Sequence, residues 1–193
     1  MRIGLLGGSF NHAHAGHRHI AHVARRRLRL HQVWLLVSPG NPLKPRDGMA
    51  PFAERLASAR AIGDGRRVVA TDLEARLRSP YTFRTLALLR RRFPRAAFVW
   101  LTGADNLIEM PRWRRWLDVV TTVSIAVLPR PPYNYRALAS LAASRLRRTR
   151  RAAHLAPVFA CLSPPGWIFL PASEIVASAT AIRAARSGVS DHR

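Results

Sequence analysis

The chain has 193 residues, of which 48% are hydrophobic, and its formal net charge is +22. This length and apolar content suffice for the core of one ordinary domain, and the single cysteine, Cys161, excludes an internal disulfide framework. No apolar run is long enough to span a bilayer, and the start MRIGLLGG is typical of a first strand rather than of a signal peptide. We therefore expect a single domain over residues 1–193, in a cytoplasmic protein that does not enter a membrane.

The positive charge invites a nucleic-acid partner, but its distribution argues against one. The basic residues comprise 31 arginines and one lysine, Lys44, in short groups spread along the whole chain. The sequence has neither a low-complexity tail nor an RNA-binding motif with interleaved aromatics. The arginine excess resembles a coding bias towards GC-rich codons, which would raise the charge without selection for DNA binding, and an acidic small substrate is compatible with the charge. A basic nucleic-acid-binding protein remains the alternative from a different class, and it would bind duplexes in a steeply salt-dependent manner.

Apolar runs alternate with helical patterns along the chain, which is typical of a parallel α/β sheet. The strands are predicted at 2–6, 33–37, 67–71, 97–102, 123–128 and 167–170. The helices are predicted at 16 to about 30, 50–62, 82–92, 135–151 and 178–186. Between them, residues 38–49 form a loop rich in turn formers. The predicted fold class is therefore α/β, a doubly wound parallel sheet with a helical C-terminal part.

The loops after the first and fourth strands are the expected binding site. In an open parallel sheet, ligands bind beyond the carboxyl ends of the strands where the strand order reverses, and strands one and four commonly adjoin there. The first loop, GGSFNHAHAGH, combines glycines for a tight turn with a helix start that favours an anion. The second loop, TGADNL, offers Asp105 as an acceptor for ribose hydroxyls or an amide. Together the two loops predict a nucleotide site.

The usual phosphate motifs are absent, because neither GxxxxGK[ST] nor GxGxxG occurs. Instead His14 and His17 flank Gly16 at the helix start, where both imidazoles can donate a hydrogen bond to one phosphate. Five of the eight histidines lie between His12 and His22, so a zinc site is the rival interpretation of this cluster. No cysteine or carboxylate lies nearby in the sequence to complete such a site, and we expect no metal ligands among the side chains.

These motifs resemble those of a known family. GGSFNHAHAGH is similar to the GGSFNPxHxGH signature of the HxGH-motif nucleotidyltransferases, and SATAIR at 178–183 is similar to their SSTxIR phosphate motif. SPGNPLK, YTFRT, GADNL and the tryptophan that follows Pro111 resemble the nicotinate mononucleotide adenylyltransferase branch. The resemblance covers the chain apart from residues 133–165. It implies a Rossmann-like nucleotidyltransferase fold and the transfer of AMP from ATP to nicotinate mononucleotide, which gives deamido-NAD and pyrophosphate in NAD biosynthesis.

The resemblance also implies roles for particular residues. The acceptor phosphate attacks the α-phosphorus in line, so that no nucleophilic side chain is required. The implied catalytic residues are His14, His17, Lys44 and Arg183. The implied ATP-binding residues are Gly7, Gly8, Ser9, Phe10, His14, His17, Asp105, Ser178, Thr180 and Arg183. The implied acceptor-binding residues are Tyr81, Thr82 and Trp113, and ATP would bring Mg²⁺ held mainly by its phosphates.

Some positions depart from the family pattern or leave a role open. His12 stands where the signature has proline, which would stiffen the loop by fixing φ. Ala179 replaces a serine, and Arg84 stands where a polar or acidic residue is common. Asp105 and Ser178 could each be a simple helix cap. Nicotinamide mononucleotide and phosphopantetheine stay open as acceptors, as does a homo-oligomer. Trp100 and Trp116 are expected in the core, and His19 and His22 on an exposed helix face.

Overall fold

The computed structural model describes residues 1–40 and 48–170. Within them a seven-stranded sheet, with every strand parallel to its neighbours, has the order β3-β2-β1-β4-β5-β7-β6. Its strands are β1 (Arg2–Gly8), β2 (Gln32–Val37), β3 (Val68–Thr71), β4 (Ala97–Gly103), β5 (Ser124–Leu128), β6 (Arg150–Arg151) and β7 (Trp167–Phe169). No helix in the described part is long and apolar enough to cross a membrane.

Helices cover both faces of the sheet. They are α1 (Ala15–Arg27), α2 (Phe52–Ile62), α3 (Leu73–Arg76), α4 (Thr82–Arg92), α5 (Ala104–Glu109), α6 (Trp116–Thr122), α7 (Asn134–Leu138) and α8 (Leu141–Arg145). Helices α1 and α2 pack on one face with a 3₁₀ segment, Ala153–Cys161, whereas α4 to α8 pack on the other. The predicted doubly wound α/β fold is therefore confirmed.

The central strands β1 and β2 are apolar beyond their first residues, Arg2 and Gln32, because both of their faces are buried. In β1, Leu6 packs in the core on the α1 side, whereas Ile3 and Leu5 pack in the core on the other side. In β2, Leu35 and Leu36 divide between the two cores in the same way. Successive strand residues point to opposite faces, so a strand with helices on both sides needs hydrophobic side chains at every position.

The predicted elements match the structure closely in the first 130 residues, with helix 82–92 reproduced and strand ends shifted by one or two residues. The single helix predicted at 135–151 is wrong. The chain instead forms α7, then α8, whose start is capped by the Ser140 side chain accepting from the Ala143 amide, and then the short strand β6 beside β7. Helices α3 and α6 were not predicted. The helix predicted at 178–186 lies outside the described residues.

The sheet brings three loops together at its carboxyl edge. Strand β1 lies between β2 and β4, as the nucleotide-binding order predicts, with Gly8 level with Val37 and Leu6 level with Leu101. Strand β5 pairs with β4 so that Leu128 lies level with Gly103. The segments that follow β1, β4 and β5 therefore start side by side.

Candidate active site

His14 and His17 form the start of α1 together. His14 is the N-cap residue, and its Nδ1 accepts from the Gly16 amide at 3.1 Å, while the His14 amide donates to His17 Nδ1 at 3.3 Å. The two ring centroids are 4.0 Å apart. Since both Nδ1 atoms act as acceptors, a neutral ring must carry its proton on Nε2 in each case. Each histidine therefore keeps one N–H donor for a ligand.

Both histidines are held in the neutral form. Burial, followed by the charges of His14 and Arg130, lowers the pKa of His17 from 6.5 to about 3. Burial and then Arg130 also lower the pKa of His14. The buried Phe10, whose φ is +49°, places its ring 5.0 Å from that of His17 and so takes part in its burial. At physiological pH the pair thus offers two neutral donors.

Asp105 lies in the first turn of α5, directly after β4. Its Oδ2 accepts from Arg130 Nη1 at 2.5 Å, whereas its Oδ1 is buried and has no hydrogen-bond partner in the described part of the chain. A Cβ at Gly103 would lie 2.5 Å from that Oδ1, so only glycine allows the carboxylate to turn back over the strand end. A buried acceptor without a donor lowers the stability of the folded protein. A ligand hydroxyl that donates to Oδ1 would remove this cost.

A cavity of about 380 Å³ opens beside the loop that follows β1. Of the predicted residues, it is lined by Gly7, Gly8 and Ser9 on one side and by Tyr81, Thr82 and Trp113 on the other. The structure therefore brings part of the loop after β1 and the predicted acceptor residues into one cavity. The other predicted ATP-binding residues in the described part of the chain, Phe10, His14, His17 and Asp105, do not line it. Trp100 belongs to the core, as predicted, but also lines this cavity; a Cβ at Gly7 would lie 2.5 Å from its indole.

Two arginines stand at the end of the cavity that holds the predicted acceptor residues. Arg112 and Arg114 both line it, and Arg114 lies 5.0 Å above the Tyr81 ring. Trp113, between them in sequence, packs edge-on against Trp100 with ring centroids 6.3 Å apart. The cavity therefore combines a flat aromatic wall with positive charge, which suits an aromatic ligand that carries an anionic group.

Other predicted residues lie elsewhere. Lys44, Ser178, Thr180 and Arg183 lie outside the described residues. His19 and His22 line a shallow surface concavity on α1, apart from the cavity described above. In the described ranges, no group of three or more histidine, cysteine or acidic side chains could hold a metal ion.

Several residues at this site were not predicted from the sequence: Glu74, Asn106, Arg112, Arg114 and Arg130. Arg130 follows β5, whose carboxyl end lies beside that of β4, so the rule that selected Asp105 would also have selected Arg130. Arg112 and Arg114 adjoin Trp113 in the sequence, but their positive charge did not stand out in a chain with 31 arginines. Glu74 carried no signal, because only the fold brings the short helix α3 to the cavity.

Comparisons with known proteins agree with this geometry. The family model described as cytidylyltransferase-like matches residues 5–185. The "Probable nicotinate-nucleotide adenylyltransferase" of Gluconacetobacter diazotrophicus is 59% identical over 183 residues, which cover 95% of this chain and 85% of that protein. The protein of the same name from Gluconobacter oxydans is 57% identical and is covered to 94%, again over 95% of this chain.

Solved structures share the fold at low sequence identity. The structure titled "Plasmodium falciparum nicotinic acid mononucleotide adenylyltransferase complexed with APC" matches with a TM-score of 0.68 at 15% identity. The match covers 95% of this chain and 82% of that one. With relatives above 50% identity over almost its whole length, the chain belongs to the cytidylyltransferase-like family and, within it, to the nicotinate-nucleotide adenylyltransferases.

Proposed function

We propose that this enzyme transfers AMP from ATP to nicotinate mononucleotide, with release of deamido-NAD and pyrophosphate. The observation that carries the proposal is the single cavity that joins the phosphate loop, Gly7 to Ser9, with the aromatic and basic wall around Trp113. One substrate's phosphates and the other's ring would meet there. The names of the relatives point to the same reaction.

The ATP phosphates would bind at the start of α1. The Nε2–H groups of His14 and His17 donate to phosphate oxygens, and Arg130 adds a fixed positive charge close to both histidines. Charge that develops on the bridging and equatorial oxygens during in-line attack is then met by donors that are already in place. Neutral donors also leave the acceptor phosphate free to approach as the nucleophile, without losing its charge to a proton from a histidine.

Asp105 would receive the ribose of ATP. Its unpartnered Oδ1 accepts a hydroxyl, while Arg130 holds the other oxygen and so fixes the carboxylate. We propose that Mg²⁺ enters with ATP, with phosphate oxygens and water as its ligands.

The acceptor would stack its ring at Trp113. Tyr81 and Thr82 lie at the start of α4, in the same cavity, where an amide or hydroxyl can donate to the ring carboxylate. Arg112 and Arg114 favour an acceptor that carries this extra negative charge over the neutral amide of nicotinamide mononucleotide. We therefore expect nicotinate mononucleotide to be preferred to nicotinamide mononucleotide, and the stacking position at Trp113 favours either of these aromatic rings over phosphopantetheine, which has none.

The direct test is a pyrophosphate-release assay with ATP, Mg²⁺ and three acceptors in parallel: nicotinate mononucleotide, nicotinamide mononucleotide and phosphopantetheine. We expect rapid release with the first, and a kcat/KM for the second that is lower by at least about tenfold, as for loss of one charge-assisted contact. Release with none of the three would refute the proposal. Faster release with phosphopantetheine would move the enzyme to a different acceptor class.

Replacement of Asp105 should weaken ATP binding specifically. In Asp105→Ala we expect the KM for ATP to rise by about tenfold, the usual effect of losing a hydrogen bond to a charged group, with the acceptor KM little changed. Steady-state kinetics with each substrate varied in turn measure both. Asp118→Asn is the control, because Asp118, in the first turn of α6, forms a surface ion pair with Arg115. If Asp105→Ala has the KM of the wild type for ATP, Asp105 is only part of a structural ion pair.

A further inference from the structure

Arg55 is a buried cation behind the loops that line the cavity. Its side chain projects from α2, and the residue is only 1% exposed. Its guanidinium donates to four backbone carbonyls: Ser9 at 2.6 Å, Ser38 at 2.8 Å, Ala50 at 3.0 Å and Pro39 at 3.4 Å. None of the ion pairs in the described part of the chain involves it. Burial lowers its pKa, but an arginine remains charged in a protein interior.

The four carbonyls come from three separate segments. Ser9 follows β1 in the phosphate loop, Ser38 and Pro39 follow β2, and Ala50 precedes α2. The sheet places the first two segments side by side, since the Ser38 amide donates to the Gly8 carbonyl at 2.9 Å. Beyond the ends of β1 and β2, however, the hydrogen bonds of the sheet no longer fix the backbone of the two loops. There the guanidinium of Arg55 connects the described parts of the two loops to each other and to α2.

The direction of these hydrogen bonds sets the direction of the loop amides. In a trans peptide the carbonyl and the following N–H point in opposite directions. Carbonyls of Ser9 and Pro39 that face Arg55 therefore turn the N–H groups of Phe10 and Gly40 away from it. Ser9 and Gly40 both line the cavity, so the peptide group between Ser9 and Phe10 and the amide of Gly40 lie at its wall.

We propose that Arg55 is the positioning residue of the phosphate loop: it holds the carbonyls towards α2, presents the opposing amides to ATP, and places an unneutralised positive charge behind them. This inference rests on the proposed function in that the anion is taken to be ATP. Arg55 itself touches no substrate and acts through the backbone. A lysine could supply the charge but not the planar fork, which reaches several carbonyls at once.

Neighbouring contacts show that α2 supports this loop more widely. Ser58, one turn further along α2, accepts from the Ala13 amide at 2.8 Å. The side chain of Asn11 accepts from the Ala50 amide at 3.0 Å and donates to the Gly48 carbonyl at 2.9 Å. Loss of Arg55 should therefore loosen one part of the loop rather than unfold it, and the fold should survive a substitution there.

The test is isothermal titration of ATP and Mg²⁺, without acceptor, into wild type, Arg55→Met, Arg55→Lys and the control Arg60→Met. Arg60 lies on the same helix but is exposed. We expect the Kd for ATP to rise by about tenfold or more in Arg55→Met and less in Arg55→Lys, with unchanged stoichiometry. Arg60→Met should bind like the wild type. In Arg55→Ala, millimolar guanidinium should partly restore ATP binding, since it can occupy the vacated site.

Two outcomes would overturn the inference. The first is a Kd for ATP in Arg55→Met equal to that of the wild type, whether or not the protein melts at a lower temperature. The second is a loss of stoichiometry at constant Kd, which indicates a smaller folded fraction and hence a purely structural role. If Arg55→Met does not fold, a wild-type Kd in Arg55→Lys decides against the inference in the same way. Absence of ATP binding by the wild type would instead refute the proposed function itself.

Discussion

His17→Ala is expected to lower kcat/KM for ATP by about 10²–10³, the usual effect of removing one preorganised donor from a site of developing charge. Burial lowers the pKa of His17 to about 3, and its Nδ1 accepts from the His14 amide, so its Nε2–H is a neutral donor that is fixed in direction. Steady-state pyrophosphate release measures the effect, with circular dichroism to confirm that the variant is folded.

Two further variants distinguish the loss of the hydrogen-bond donor from the loss of side-chain volume as the cause of the lower rate. The terminal amide of His17→Gln can reach the position of Nε2, whereas that of His17→Asn stays near the position of Nδ1. We therefore expect the glutamine variant to recover part of the rate and the asparagine variant to recover less. His22→Ala, on the outer side of α1, is the control and should match the wild type. Equal rates for wild type and His17→Ala would contradict the assigned role.

The pH profile of the wild type provides an independent check on the same assignment. Because the pKa of His17 lies at about 3 and that of His14 is also below its ordinary value, neither histidine gains a proton near neutrality. We therefore expect no fall in kcat/KM between pH 8 and 6 that is due to His14 or His17. A fall in this range that disappears in His17→Ala would contradict the assignment, because it would show that His17 acts in a charged form.

Glu74→Gln is expected to become more stable than the wild type as the pH rises. Glu74 is only 7% exposed, and burial raises the pKa of its carboxyl from 4.5 to about 7, although hydrogen bonds with Thr85 and Ser38 oppose the shift. Below pH 4.5 both the folded and the unfolded chain hold the proton. Between pH 4.5 and about 7 only the folded chain keeps it, so the free energy of unfolding falls as the pH rises.

Above pH 7 the buried carboxyl is itself ionised and the destabilisation is complete. At about 1.4 kcal/mol per pKa unit, the difference between 4.5 and about 7 corresponds to roughly 3 kcal/mol. Glutamine has the same shape and no proton to lose, so the stability difference between the variant and the wild type should grow over this range. Urea unfolding at pH 5 and pH 8 measures it, with Glu109→Gln as a control for replacing an exposed carboxyl. A difference that does not change with pH would contradict the raised pKa.

Much of the site could be predicted because its parts are local in sequence. A glycine pair, a helix start and two histidines three residues apart lie within one loop, and the rule for parallel sheets selected the loop after β4. Arg55 and Glu74 could not be found in this way. Each is an ordinary charged residue on an ordinary helix, and only the packing of α2 and α3 buries it beside the loops of the site.

The prediction of a single helix at 135–151 was wrong for a related reason. Its helical pattern is real, but Ser140 starts a second helix, and pairing with β7 draws Arg150 and Arg151 into the sheet.

The sequence by itself determined the class of fold, the strands that meet at the site and the family, because alternating apolar runs and contiguous motifs are properties of neighbouring residues. Only the tertiary structure decided the protonation state of the two histidines, the pairing of Asp105 with Arg130 and the burial of Arg55. These depend on groups far apart in the chain, and desolvation and charge act through space rather than along the sequence. The histidine cluster after β1 is thus a pair of neutral donors on a loop that is held from behind by a buried cation.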